Sequence, residues 1–355
     1  MDKILDLYIN YLICGNGKAT ATGLSKMTNG EVSHDQITRY LSSCEQGEVE
    51  LWAEVKDFIE DRKDEECFLI IDDTIAEKPY TDVNTINTWH YSSLKGDYVK
   101  GMNILTCLAQ YDDASIPINY RIIGKDTEVY DPKTQTTKLK SSKTKNELFR
   151  ELLQHSFERE VQFKYILADN WFCSKENMNF IHNELNKLFI IGIKSNRLVA
   201  LSDEDKRKGN YHKISALELK DEEAIKVFVK SVKYPLLLIK KIFTNENGSK
   251  GVLYLVTNDI KLNGNDIYAI YQKRWKIEEY HKSIKQNTSL CKSPTKKMKT
   301  QKNHVFASIC AFVRLEMLKL KSSMNHFALK AKMTIFANIA SFENLQKMLC
   351  FYHVA

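Results

Sequence analysis

The chain reads as a mixed α/β protein, with helical regions at both ends and a mainly β segment inserted in the middle. Three observations carry that reading. Between residues 65 and 194, short apolar runs of strand length alternate with helical segments, the pattern of a mixed sheet with flanking helices. From 195 to 250, charged turns alternate with strand-like runs such as IKVFVKSVKY and LLLIKKIF. Toward both ends of the chain the apolar residues recur at helical spacing.

Composition narrows the class. At 355 residues the chain can bury a sizeable core. Only 13 Gly and 5 Pro argue against long disordered or repeated segments. A net charge of +7 permits a polyanionic partner without requiring one. The cysteines (Cys14, Cys44, Cys67, Cys107, Cys173, Cys291, Cys310 and Cys350) include no C-x-x-C pair, so a zinc clip is not expected and a reducing cytosol is. The N-terminus MDKILDLYINYLI has no signal-peptide pattern, and the longest apolar run, VFASICAFV, is nine residues, far short of a membrane span. A soluble, cytoplasmic protein is expected.

Residues 1–62 are expected to be helical. Ile4, Leu5, Tyr8, Tyr11 and Leu12 suit one helix face. A short helix around Gly23–Met27 breaks at Asn29-Gly30, and Ser33 or Asp35 can cap a second helix through Ile37, Arg39, Tyr40 and Leu41. Helix, turn, helix with Arg39 on the second is the outline of a helix-turn-helix, and equally of a small packed bundle. A helix around Val49–Arg62 follows.

CFLIIDD, from Cys67, is a strand ending in two aspartates. Residues 74–101 read as a polar loop carrying Trp89 and His90. GMNILTCLAQY (101–111) and ASIPINYRIIG (114–124) read as strands joined at Asp112-Asp113. Residues 131–145 form a basic exposed loop suited to lie near phosphates. A helix burying Leu148, Phe149, Leu152, Leu153 and Phe157 comes next, then the strand KYILADNWF, a helix over 174–187 capped by Ser174, and the strand LFIIGIK. After the β-rich segment, VLYLVTND returns to the sheet. Two apolar helices, about 303–321 and 325–350, close the chain.

YQKRWKIEEYHKSIK, Tyr271 to Lys285, has no Gly or Pro and reads as a helix. At 100° per residue, Tyr271, Arg274, Glu278 and Lys285 fall within about a 60° sector. One face then carries a hydroxyl, two cations and a carboxylate. With Asp72 and Asp169 at strand ends, Glu278 makes a third carboxylate. Three such acids form an oxygen cage suited to Mg²⁺ or Mn²⁺. Two ions about 3.5–4 Å apart can activate a water or a 3′-hydroxyl for in-line displacement at phosphorus. Taken singly, a strand-end Asp more often starts a turn, and an Arg–Glu pair at i, i+4 is more often a solvated surface contact.

The combination resembles one large group of bacterial insertion-sequence transposases, DDE enzymes with an RNase H-like core. Tyr271, Arg274, Glu278 and Lys285 fill the places of the group's Y-x₂-R-x₃-E-x₆-K signature. Asp72-Asp73-Thr74 matches its D-x-[ST] pattern, and Leu167-Ala168-Asp169-Asn170-Trp171 its second strand-end pattern. The 109 residues from Asp169 to Glu278 leave room for the group's β-rich insertion. Asp73 remains an alternative to Asp72, because side chains alternate along a strand and only one can face the site.

The resemblance implies a metal-dependent transposase that binds terminal inverted repeats of double-stranded DNA, cleaves, and transfers a strand to target DNA. Asp72, Asp169 and Glu278 would bind the metal. Tyr271, Arg274 and Lys285 would contact phosphates, with Lys282 and Arg39 counted among the DNA-binding residues. A homodimer on DNA and a place at the bacterial nucleoid are further expectations. The implied layout is 1–64, DNA-binding; 65–194 and 251–290, catalytic core; 195–250, β-rich insertion; 291–355, C-terminal helices. An RNase H-like nuclease without strand transfer and a non-catalytic DNA-binding relative stand as alternatives.

Overall fold

The computed structural model describes residues 2–92, 95–132, 135–245 and 248–352. In chain order the elements are α1 (Lys3–Cys14), α2 (Ala21–Met27), α3 (His34–Ser43), α4 (Glu48–Asp61), β1 (Phe68–Glu77), β2 (Thr88–Ser92), β3 (Asp97–Gln110), β4 (Ser115–Ile123), β5 (Thr127–Asp131) and β6 (Thr136–Lys140). Then come α5 (Lys145–Glu158), β7 (Tyr165–Ala168), α6 (Lys175–Asn179), β8 (Leu188–Gly192), β9 (Leu198–Ala200), α7 (Asp203–Lys208), β10 (His212–Lys213), β11 (Ile225–Val229), β12 (Leu236–Thr244) and β13 (Lys250–Thr257). Helices α8 (Gly264–Gln272), α9 (Lys276–Gln286), α10 (Met298–Ser322) and α11 (His326–Tyr352) complete the chain. No described helix is long and apolar enough to cross a membrane.

The chain forms two compact units: Met1–Glu54, Ala76–Met102 and Tyr280–Ala355 make one, and Val55–Ile75 with Asn103–Glu279 the other. In the first, α1 buries Leu5, Tyr8, Ile9, Leu12 and Ile13 and packs on α10. The expected face is thus rotated slightly, leaving Ile4 and Tyr11 half-buried. The Tyr8 hydroxyl meets Nδ1 of His304 (2.9 Å), and His304 Nε2 lies 3.0 Å from the Ser289 carbonyl. Burial pushes the imidazole down to about 3, so it is neutral, donating at Nε2 and accepting at Nδ1. Asn29 and Gly30 take left-handed backbone (φ 51° and 79°), and Ser33 rather than Asp35 caps α3, in a reciprocal capping box with Gln36.

The 74–101 loop is corrected: β1 runs on to Glu77, and β2 pairs antiparallel with β3. Trp89 faces Lys100 and Tyr91 faces Tyr98 across the ladder. Ser93 and Leu94 of that stretch lie outside the described residues. The polar composition hid an alternation of period two.

In the second unit the sheet runs in the order β10-β9-β11-β12-β13-β8-β7-β1-β3, with β4 paired to β3. Strands β1, β7 and β8 are mutually parallel. Their segments Phe68–Ile71, Tyr165–Ala168 and Phe189–Ile191 are wholly buried, as expected for parallel strands covered on both faces, which read as continuous apolar runs. Residues 195–250 are mainly β as expected, but they extend this sheet beside β13. The basic 131–145 stretch is partly a hairpin of β5 and β6, not a loop; its Lys133 and Thr134 lie outside the described residues. In α5, Ser156 is buried and Phe157 is exposed, because the Ser156 hydroxyl satisfies itself on the Leu152 carbonyl at 2.8 Å. The expected 174–187 helix is five α-helical residues followed by a π turn, Phe180–Glu184.

Candidate active site

Parallel pairing of β1 with β7 ends with Ile71 opposite Ala168. Asp72 and Asp169 come next, on neighbouring strands about 4.8 Å apart in a parallel ladder; Asp169 follows the end of β7 as expected, but Asp72 lies within β1, which continues to Glu77, and not at a strand end. Asp72 is pushed up to about 7, first by burial and then by the charges of Asp169 and Asp73, with Arg274 opposing. Asp169 is also raised by burial, against the stabilising N–H of Trp171 (2.9 Å). Two desolvated carboxylates side by side are unfavourable unless a cation joins them.

Asp73 points elsewhere. Both its oxygens accept from Lys145 Nζ at 2.8 Å. Lys145 opens α5, which Thr144 caps in a reciprocal box with Glu147. Of the two adjacent aspartates, Asp72 is the one that pairs with Arg274, while the charge of Asp73 also acts on Asp169.

The Tyr271–Lys285 stretch is helical but not one α-helix. Lys273–Trp275 is a 3₁₀ turn between α8 and α9, so the uniform 100° step used on the sequence does not hold across it. The change still brings Tyr271, Arg274 and Glu278 together. The Arg274 guanidinium lies 3.2 Å from Asp72 Oδ2 and 3.7 Å from Glu278 Oε1, and 5.7 Å from the centre of the Tyr271 ring. Glu278 is the most open of these groups, its side chain 40% exposed against 16% for Arg274.

Tyr271 is buried, which pushes its hydroxyl up to about 12 and keeps it a proton donor. Gly192, ending β8, makes room for it. A Cβ there would stand 3.0 Å from the Asn170 backbone nitrogen and 3.3 Å from the Tyr271 hydroxyl oxygen.

Lys285, Lys282 and Arg39 belong to the first unit. Lys285 acts electrostatically on Cys291, Lys282 lies 5.2 Å from the centre of the Phe327 ring, and Arg39 is exposed on α3.

Behind the carboxylates sits a buried network that sequence reasoning missed. Asn177 accepts from Arg150 (2.7 Å) and donates to Asn146 (2.9 Å) and to the Phe172 carbonyl (3.0 Å). It ties α6 to α5 and fixes the loop that follows Asp169. Its only sequence signal was an asparagine in a first helical turn. Trp171 projects from that loop, 57% exposed, with Lys145 and Lys194 ammonium groups 5.4 and 5.5 Å from its ring centre.

As an ion site, Asp72 and Asp169 offer hard oxygen donors whose raised affinity for protons marks a place where positive charge is wanted. That chemistry fits a divalent cation. Among the described residues no three His, Cys, Asp or Glu side chains converge on one point. The Arg274 guanidinium instead spans Asp72 and Glu278, which bounds the separation of their bonded oxygens at 6.9 Å, or 3.2 plus 3.7.

An RNase H-like sheet with paired acids on neighbouring strands suits metal-dependent nucleic-acid phosphoryl transfer. The chain matches the DDE superfamily endonuclease family over residues 2–216 and belongs to that family. Enzymes of this superfamily use divalent metals and act on DNA. The matched segment contains Asp72 and Asp169 and ends before Glu278. No curated protein matches the chain.

Proposed function

We propose that the protein is the transposase of a bacterial insertion sequence, cutting DNA at the element's terminal inverted repeats and joining the freed 3′-hydroxyl to target DNA. The observation that carries this reading is the meeting of Asp72, Asp169 and Arg274, with Glu278 tethered through the same guanidinium. Asp72, Asp169 and Glu278 would hold Mg²⁺, or Mn²⁺, which when bound would supply an activated oxygen nucleophile and stabilise the leaving oxygen. Arg274, freed of part of its carboxylate pairing, donates to the scissile phosphate in the fork geometry that guanidinium favours. The Tyr271 hydroxyl, kept protonated by burial, is a second donor. Lys285, Lys282 and Arg39 contact DNA phosphates, and the 1–64 region takes part in reading the terminal repeats. The protein works at the nucleoid.

A homodimer on DNA is supported by α11. It exposes Ile335, Phe336, Ile339, Phe342, Leu345 and Leu349, each about half open to solvent or more, at the three- and four-residue spacing of a helix-pairing seam.

The test is nicking of a supercoiled plasmid bearing the inverted repeats that flank the reading frame. We expect Mg²⁺-dependent nicking and strand joining, lowered about a thousandfold (~4 kcal/mol of barrier) by Asp72→Asn, Asp169→Asn or Glu278→Gln. Full activity in any of the three variants sinks its assignment. Cleavage that ignores the repeats and never joins strands favours a nuclease without strand transfer.

A further inference from the structure

We propose that a basic cleft in the second unit receives a single strand of DNA and leads it away from the carboxylates. This deepens the catalytic reading and rests on it. The cleft begins where Gly192 ends β8 against Asn170, the neighbour of Asp169. From there residues 193–197 form one wall, and two adjoining hollows of about 630 and 390 Å³ share Asn196. The first opens at Asn170 and includes Lys194 and Tyr254. The second is lined by Lys175, Arg197 and Lys230, with Glu176.

Charge decides what fits. Four cations face one carboxylate, an excess of three positive charges along the two hollows. Only Lys175 has a partner of opposite charge among the described residues, Glu176 at 3.6 Å. Lys194 and Lys230 instead lie near aromatic rings, Trp171 and Tyr211, at 5.5 and 5.8 Å. The rest of the lining mixes hydroxyls and amides, which suit phosphates, with apolar Ile193, Leu198, Val252 and Leu253, which suit sugar and base faces. A small anion would be satisfied in one hollow. Cations repeated through both match the repeated charge of a polynucleotide. Each hollow has the size of a small-ligand site, which admits one strand and leaves a duplex lying across the rim.

The test uses the full-length protein in EDTA and fluorescence anisotropy with three probes: a single-stranded oligonucleotide, a duplex carrying a single-stranded tail, and the blunt duplex. Arg197→Glu with Lys230→Glu should weaken binding of the first two roughly tenfold or more, flatten their salt dependence by about two phosphate contacts, and change the blunt duplex little. Lys56→Glu with Lys63→Glu, a charge-matched pair on and just after α4, should change none of them. Thermal melting confirms that both double variants fold. Unchanged single-strand binding in Arg197→Glu/Lys230→Glu overturns the cleft, as does an equal loss for blunt duplex, which would mark a duplex-binding surface. Plasmid nicking by the parent separates the two readings. If strand binding depends on Arg197 and Lys230 but the parent never nicks DNA, the catalytic reading fails alone. If nicking depends on Asp72 but strand binding ignores the cleft residues, the cleft fails alone.

Discussion

Asp72 concentrates the chemistry of the site in one side chain. Its carboxyl sits near 7 rather than at the ordinary 3.8, chiefly because it is buried. A raised folded-state value means that this group favours folding below 3.8, and that the contribution is lost as pH rises through 7. Without a cation, the protein at pH 8 carries a cost of at most about 4 kcal/mol at this position. Asp72→Asn should therefore stabilise the metal-free protein at about pH 8, by roughly 1–3 kcal/mol, and do little near pH 4. Urea melts in EDTA at the two pH values measure this. A variant no more stable than the parent at pH 8 would show that Arg274 already neutralises the charge. The same substitution lowers cleavage about a thousandfold in the catalytic reading, so stability and activity move in opposite directions, as expected where strain is kept for function.

At the scale of elements, the sequence announced what burial makes regular and hid what local chemistry decides. The apolar runs at Phe68–Ile71, Tyr165–Ala168 and Phe189–Ile191 were legible because strands buried on both faces need continuous apolar residues. Asp72 and Asp169 were legible as acids following apolar runs, but that β1 continues past Asp72 was not, and their adjacency depended on register, which only pairing fixes. The choice between Asp72 and Asp73 depended on Lys145, 72 residues further along the chain. Strands β2 and β6 fall in stretches read as loops, because their polar composition hides the alternation of a strand. The 3₁₀ turn at Lys273–Trp275 was invisible to a fixed helical period. The Asn177 network, joining α5, α6 and the loop after β7, is the element-scale support of the site. Asn177→Ala leaves the Arg150 guanidinium without its amide acceptor and Asn146 Oδ1 without its donor, while the Phe172 carbonyl keeps the Ser174 N–H at 2.9 Å. Unmet buried groups of this kind cost about 1–3 kcal/mol each. A loss of roughly 2–4 kcal/mol is expected in chemical denaturation, and a loss below about 0.5 kcal/mol would show that water replaces the amide.

For the molecule as a whole, the candidate acids and the proposed strand cleft all lie in one of the two units, while Lys285, Lys282 and Arg39 lie in the other. The apolar seam of α11 belongs to that other unit and has a consequence in mass action. If two copies must pair along it, the active species is second order in protein, and specific activity falls on dilution below the dissociation constant. Replacing Phe342 and Leu349 together with Glu should move the sedimentation of the DNA complex from two copies to one. It should also abolish the coordinated cutting of two element ends while single-end nicking persists. A variant that still sediments as a pair would place the contact elsewhere. A cell making few copies of such a protein would thereby hold its own DNA rearrangements in check, with no repressor needed.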